Sequence, residues 1–138
     1  MVEKSTVARV HNSFGRCLLG DRFFDRFYEI FLASNDEVPK RFAKTDFKKQ
    51  KELLRHGLGT VLNYATGSNA MANHAVARLK TSHGKENLNI PPALYASWID
   101  SLVKTVSECD PEFTEQLRED WQEVVMPAIK EMVSGYSK

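Results

Sequence analysis

Apolar residues along the 138-residue chain return at intervals of three and four, the spacing that lines one face of an α-helix. Val7, Val10, Phe14 and Leu18 make a first stripe that stops at Gly20. Asp21 is placed to cap a second helix carrying Phe23, Phe24, Phe27, Tyr28 and Phe31. After the polar break Ser34-Asn35-Asp36, Pro39 suits the first turn of a short helix ending near Phe42. Thr45 or Asp46 then caps a helix whose inner face holds Phe47, Gln50, Leu54, Leu58, Val61 and Ala65, closed by Thr66-Gly67-Ser68-Asn69.

The second half repeats the pattern without repeating any sequence. Ala72, Val76, Leu79 and His83 share a face that ends at Gly84 and the polar run Lys85 to Asn89. Pro91-Pro92 opens a long helix with Leu94, Trp98, Leu102, Val103 and Val106 inward. Asp110-Pro111 separates it from a last stripe of Phe113, Leu117, Trp121, Val125, Ala128, Met132 and Tyr136, and the two form an expected antiparallel hairpin. Pro127 lies inside that stripe and predicts a kink or thinner hydrogen bonding, because it lacks a backbone donor and its ring crowds the preceding turn. The fold class is all-α.

A chain of this length closes one core, so a single domain over 1–138 is expected. A hydrophobic share of 42% with only 7 Gly and 5 Pro excludes a disordered or collagen-like chain. Nineteen Lys and Arg against 18 Asp and Glu leave a net charge of +1, which gives no overall electrostatic case for nucleic acid or an anionic membrane. No apolar run approaches the ~18 residues of a spanning helix, and the first ten residues lack the apolar stretch of a secretory signal. The expectation is a cytoplasmic protein that engages no membrane. Cys17 and Cys109 stand far apart without metal-ligand spacing and read as reduced thiols.

Conventional catalytic motifs are missing: there is no G-x-S-x-G elbow, no phosphate-cradling glycine loop, no H-E-x-x-H and no paired cysteines. Lys48-Lys49 and Lys51-Glu52 read most simply as the wet face of their helix. The informative residues are polar ones at positions where the period asks for apolar ones, since burial without a partner costs about 1 to 3 kcal/mol. Tyr28, Gln50 and His83 are such residues, each on a different helix. Taken singly, an inward tyrosine usually packs its ring in the core, an inward glutamine sits at an edge, and an inward histidine is a satisfied boundary residue. His56 and His74 fall on polar faces and His11 sits beside, not within, the Val7, Val10 and Phe14 stripe, so all three read as surface residues.

At these residues the chain resembles a globin over nearly its whole length, from Val7 to Tyr136. It is most similar to the bacterial single-domain globins related to the haem domain of flavohaemoglobins and to sensor globins. Phe27-Tyr28-Glu29-Ile30-Phe31 with Glu37-Val38-Pro39-Lys40-Arg41-Phe42 resembles that family's second and third helices. Gln50-Lys51-Glu52-Leu53-Leu54 resembles the distal segment, and Leu79-Lys80-Thr81-Ser82-His83 with Ile90-Pro91-Pro92-Ala93-Leu94-Tyr95 resembles the proximal one. Two departures stand out: the stretch from His83 to Tyr95 is two residues longer than in flavohaemoglobins, and Tyr136 stands where they carry a late acidic residue.

The resemblance implies the globin order of helices, A-B-C-E-F-G-H, around a pocket for haem b. It implies His83 as the iron ligand, Tyr28 and Gln50 as the distal pair, and Phe42, Phe47, Leu54, Leu79, Tyr95 and Trp98 as residues lining the cofactor. Dioxygen, nitric oxide or carbon monoxide are the implied ligands, in oxygen binding or transport, or in nitric oxide dioxygenation with a separate reductase. Gas or redox sensing and peroxidase-like activity are the alternatives, and sensing is disfavoured by a chain that stops soon after the last helix. A haem-free globin acting as an interaction module would also fit the helices, in a monomer or homodimer.

Overall fold

The computed structural model describes residues 2–84 and 90–136. Its helices are α1 (Lys4–Cys17), α2 (Phe23–Ser34), α3 (Glu37–Arg41), α4 (Phe47–Tyr64), α5 (Ala70–His83), α6 (Pro92–Cys109) and α7 (Glu115–Tyr136). Every apolar stripe read from the sequence falls on one of them, except that the end members Leu18, Ala65 and Phe113 lie just beyond the helix bounds. The polar run 85–89, expected to close α5, lies outside the described residues.

Helix boundaries follow their caps. Asp46 accepts hydrogen bonds from the backbone N–H groups of Lys48 and Lys49 and so starts α4, and Asn69 accepts from Ala72 N and starts α5. Asp21 does not play the expected part: the cap position of α2 is Arg22, with no side-chain cap bond. The last stripe begins in a turn, and Thr114 Oγ1 accepts from Leu117 N to open α7 two residues after Phe113. Helix α7 runs on through Pro127. The proline therefore does not end the helix, and it removes one backbone donor from it.

Trp121, Phe23, Phe27, Leu58, Leu62 and Leu102 are fully buried and centre the core. Around it α2 packs on α6, α5 on α7, and α7 also on α1, α4 and α6. Buried polar groups at the α1, α6 and α7 junction were not evident from the periodicity. Trp121 Nε1 donates to Ser13 Oγ at 3.0 Å, Ser13 Oγ donates to Asp110 at 2.6 Å, and Arg16 binds both Asp110 oxygens at 2.7 and 2.9 Å. A second pair, Arg9 with Asp120 at 2.7 Å, ties α1 to α7. These polar bonds fix how α1 lies across the C-terminal hairpin, and so leave the α2, α4 and α5 faces as the place for chemistry.

Candidate functional site

Tyr28 and Gln50 meet. Tyr28 is 4% exposed on the inner face of α2, and Gln50 is half-buried in the first turn of α4. The Gln50 amide donates from Nε2 to the Tyr28 hydroxyl oxygen at 3.1 Å. Because that oxygen accepts, the phenol's own proton is left to donate elsewhere. Burial raises the Tyr28 pKa and the Gln50 bond opposes it only in part, so the phenol keeps its proton at neutral pH.

Aromatic rings wall this pair. Phe42 lies 5.9 Å and Phe47 5.4 Å from the Tyr28 ring centroid, both edge-on, and the two phenylalanines are 6.0 Å apart. The first turn of α4, started by Asp46, brings Phe47 and Gln50 to α2, and the residue ending α3 brings Phe42. Leu54, one turn beyond Gln50, is buried. Trp98 packs on Phe27, 6.1 Å away, and braces α2 from α6.

His83 stands at the C-terminal end of α5, which packs beside α4. Its Nδ1 lies 2.9 Å from the Leu79 carbonyl oxygen, an atom that can only accept, so Nδ1 carries the hydrogen and Nε2 keeps its lone pair. The Ser82 hydroxyl donates to the same carbonyl and touches Nδ1 at 3.0 Å. Burial pushes the imidazole below its ordinary pKa, against the smaller opposing effect of the Leu79 bond. A neutral ring with a free, oriented Nε2 is the form that binds a metal. Leu79, expected to line a cofactor, is half-buried, and its backbone carbonyl also holds the histidine in place. Side-chain periodicity carries no signal for that backbone role.

Tyr95, in the first turn of α6, is buried, and its hydroxyl has no hydrogen-bond partner among the described residues. Burial pushes its pKa up to about 12. His11, His56 and His74 are exposed, as expected. No group of three or more His, Cys, Asp or Glu side chains among the described residues is arranged to hold a bare metal ion. A single free imidazole suits a metal whose other ligands arrive with a cofactor.

No protein-family model and no curated protein matches the chain. Among solved structures it is similar to a protein of Pseudomonas aeruginosa described as structurally highly homologous to a human hemoglobin. The two are 37% identical, with a TM-score of 0.90, over 95% of this chain and 98% of that one. Among the described residues no helix is long and apolar enough to cross a membrane. With the helix order and the sequence both shared along the whole length of that relative, the chain belongs to the bacterial single-domain globins.

Proposed function

We propose that the chain, as one domain, binds haem b between α4 and α5 with His83 as the iron ligand, and holds a diatomic gas, dioxygen first, against Tyr28. The observation that carries this reading is a phenol on α2 whose proton is free, joined by Gln50 to α4, together with an imidazole whose Nε2 is free on α5, the helix packed beside α4. The residues suit the group: the Phe42 and Phe47 rings supply apolar faces, the neutral imidazole supplies one nitrogen, and the orphaned Tyr95 hydroxyl supplies a buried polar atom that lacks a partner. When bound, haem would supply an iron able to take up a diatomic gas.

The chain's own residues do the rest. Leu79 and Ser82 orient the imidazole. Tyr28 would offer its proton to a polarised diatomic ligand, a charge-assisted bond worth about 1.5 to 3 kcal/mol in a dry pocket. Gln50 spends one N–H on the Tyr28 oxygen, which orients the phenol and strengthens it as a donor. Its role is therefore partly exerted through Tyr28. Carbon monoxide, nearly neutral when bound, gains less from such a donor, so the pocket favours dioxygen. Phe42, Phe47 and Leu54 exclude water.

Reversible oxygen binding is the reading this geometry supports best, and nitric oxide dioxygenation with a separate reductase uses the same residues. No carboxylate among the described residues contacts His83, so its ring has no anionic partner to strengthen it, as a peroxidase-like activity would want. Titration of the apoprotein with hemin tests the proposal: a Soret band saturating at one haem per chain is expected, and a colourless chain after reconstitution overturns it.

A further inference from the structure

Two thiols far apart in the sequence stand at helix ends that the fold brings together. Cys17 ends α1 and Cys109 ends α6, and both are free thiols in this structure. Asp110 fixes how these two ends meet. Its carboxylate accepts from Ser13 Oγ at 2.6 Å and from Arg16 at 2.7 and 2.9 Å. Cys109 precedes that aspartate in the chain, while Cys17 follows Arg16 and stands one turn after Ser13. A serine side chain is short, so its bond to Asp110 holds the two backbones close. Cys17 is buried in the core, Cys109 packs against that core, and α1 packs on α6.

Access divides the two thiols. Cys17 is 2% exposed, and burial, then the neighbouring Asp110 and Cys109, push its pKa up to about 12. That Cys109 acts on Cys17 electrostatically requires the two sulfurs to be near one another. Cys109 is only partly buried; burial and Glu108 raise its pKa, while Arg22 and Arg26 draw it down. A single buried cysteine is an inert core residue. A partly exposed second thiol beside it, within reach of two guanidinium groups, gives an oxidant a way in.

We propose that Cys17 and Cys109 are a reversible dithiol–disulfide pair that closes when the protein meets a low-molecular-weight disulfide, tying the end of α1 to the end of α6. The Cys109 thiolate attacks one sulfur of the oxidant, here glutathione disulfide; a mixed disulfide forms and one glutathione leaves as its thiolate. Cys17, as thiolate, then attacks the Cys109 sulfur and displaces the second glutathione. Two protein thiols are thereby oxidised by two electrons, one small disulfide is reduced to two thiols, and the protons given up by the cysteines pass to the glutathiones. The crosslink closes a loop of about 90 residues, and its chief effect is to restrict the unfolded chain. It repeats covalently, at the same helix junction, what the Asp110 bonds do by charge.

The test incubates the full chain with millimolar glutathione disulfide at about pH 8, where more of each thiol is thiolate. Thiols are then counted in denaturant, the products are mapped as non-reduced peptides, and thermal unfolding is followed by circular dichroism. Both thiols are expected to disappear, with a Cys17 to Cys109 linked peptide in a chain two hydrogens lighter. The unfolding midpoint should rise by about 5 °C or more. Dithiothreitol should reverse all of this. Cys17→Ala should stop with glutathione on Cys109 and no rise in the midpoint, and Cys109→Ala should keep its buried thiol far longer. Two thiols surviving in the wild type, a wild type that stops with glutathione on Cys109, or linkage only between chains overturns the proposal, as does a crosslinked chain that melts no later than the reduced one.

Comparing the oxidised and reduced forms of the wild-type chain needs no variant, so the outcome stands even if Cys17→Ala, which removes a buried side chain, fails to fold. The readouts are covalent mass, thiol count and melting, and they decide the pair whether or not the chain takes up haem.

Discussion

Lys80 and Gly135 meet where α5 crosses α7: a Cβ placed on Gly135 would stand 2.7 Å from Lys80 Cγ and 3.2 Å from the Lys80 carbonyl oxygen. The Lys80 stem lies across this glycine, and its ammonium reaches Glu131, one turn earlier on α7, at 2.8 Å. The end of α5 that carries His83 is thereby held close to α7. An alanine normally stabilises a helix over glycine by about 1 kcal/mol. Here the added methyl must displace backbone as well as side chain, and overpacking of that kind costs about 1 to 3 kcal/mol. Gly135→Ala is expected to lower the midpoint of thermal unfolding. Gly15→Ala on exposed α1, where nothing lies within 4 Å, is expected to raise it. Circular dichroism melts of the two variants check the opposite signs.

The buried carboxylate of Asp110 links α1 to α6 through Ser13 and Arg16. Burial works to raise its pKa, but the hydrogen bonds from Arg16, Ser13 and the Glu112 backbone outweigh that and hold it below the usual carboxylate range. Asp120 is lowered chiefly by its bond from Arg9. A lowered folded-state pKa adds stability that is complete above the unfolded value, about 3.9, and is lost as pH falls through the folded value. Stability to urea should therefore hold from neutral pH down to roughly pH 5 and decline below about pH 4. Asp110→Ala should cost about 3 kcal/mol, near the low end for breaking a buried pair because Arg16 is partly exposed and can be rehydrated, and should flatten the acid limb. An unchanged acid limb in Asp110→Ala would assign the pH dependence to other carboxylates.

The sequence showed the helices and the inward Tyr28, Gln50 and His83 more fully than the polar packing. Stripes at helical spacing were legible because each helix buries one face, and Tyr28, Gln50 and His83 stood out against those faces. Ser13, Asp110 and Asp120 did not, although each is at most 2% exposed. Ser13 lies off the Val7, Val10, Phe14 stripe, Asp110 read as an interhelix break, and Asp120 is not one of the apolar positions of the last stripe. Their burial depends on which helix crosses which, a fact of tertiary contact with no periodic signature. Asp21 misled for a related reason: an acceptor type at a gap fits a cap, but the chain turns there without using it. Cys17 and Cys109 were legible as two thiols far apart in the chain, whereas the meeting of their helix ends beside Asp110 is visible only in three dimensions.

Tyr28 is the residue whose removal separates a gas site from an ordinary core tyrosine. Tyr28→Phe keeps the ring packed against Phe42 and Phe47 and deletes only the hydroxyl. Loss of a charge-assisted bond worth about 1.5 to 3 kcal/mol corresponds to oxygen leaving about 10 to 150 times faster. Gln50→Leu should accelerate it less, because Tyr28 keeps its own proton, and the effects of the two substitutions should fall short of additive. Stopped-flow displacement of oxygen by carbon monoxide measures the two single variants and the double variant that combines them. An unchanged rate in Tyr28→Phe removes the phenol from the ligand's reach.

His83 can be tested by restoring what is taken away. His83→Gly removes the imidazole at the C-terminal end of α5, where a glycine is easily accommodated, and should abolish stoichiometric haem uptake. Free imidazole at millimolar concentration can enter the space left by the side chain and supply the missing nitrogen. Its binding there should bring back the Soret band of a single axial imidazole, with weaker affinity because the Leu79 carbonyl and Ser82 hydroxyl now orient a ring that is no longer tethered. The matching variant His74→Gly changes an exposed histidine on the same helix and should leave haem affinity as in the wild type. Absorption titration with hemin, with and without imidazole, separates a lost ligand from a lost fold: a variant that imidazole rescues has kept its pocket. Full uptake by His83→Gly without imidazole would assign the iron to another side chain, and His74 would be the next to replace.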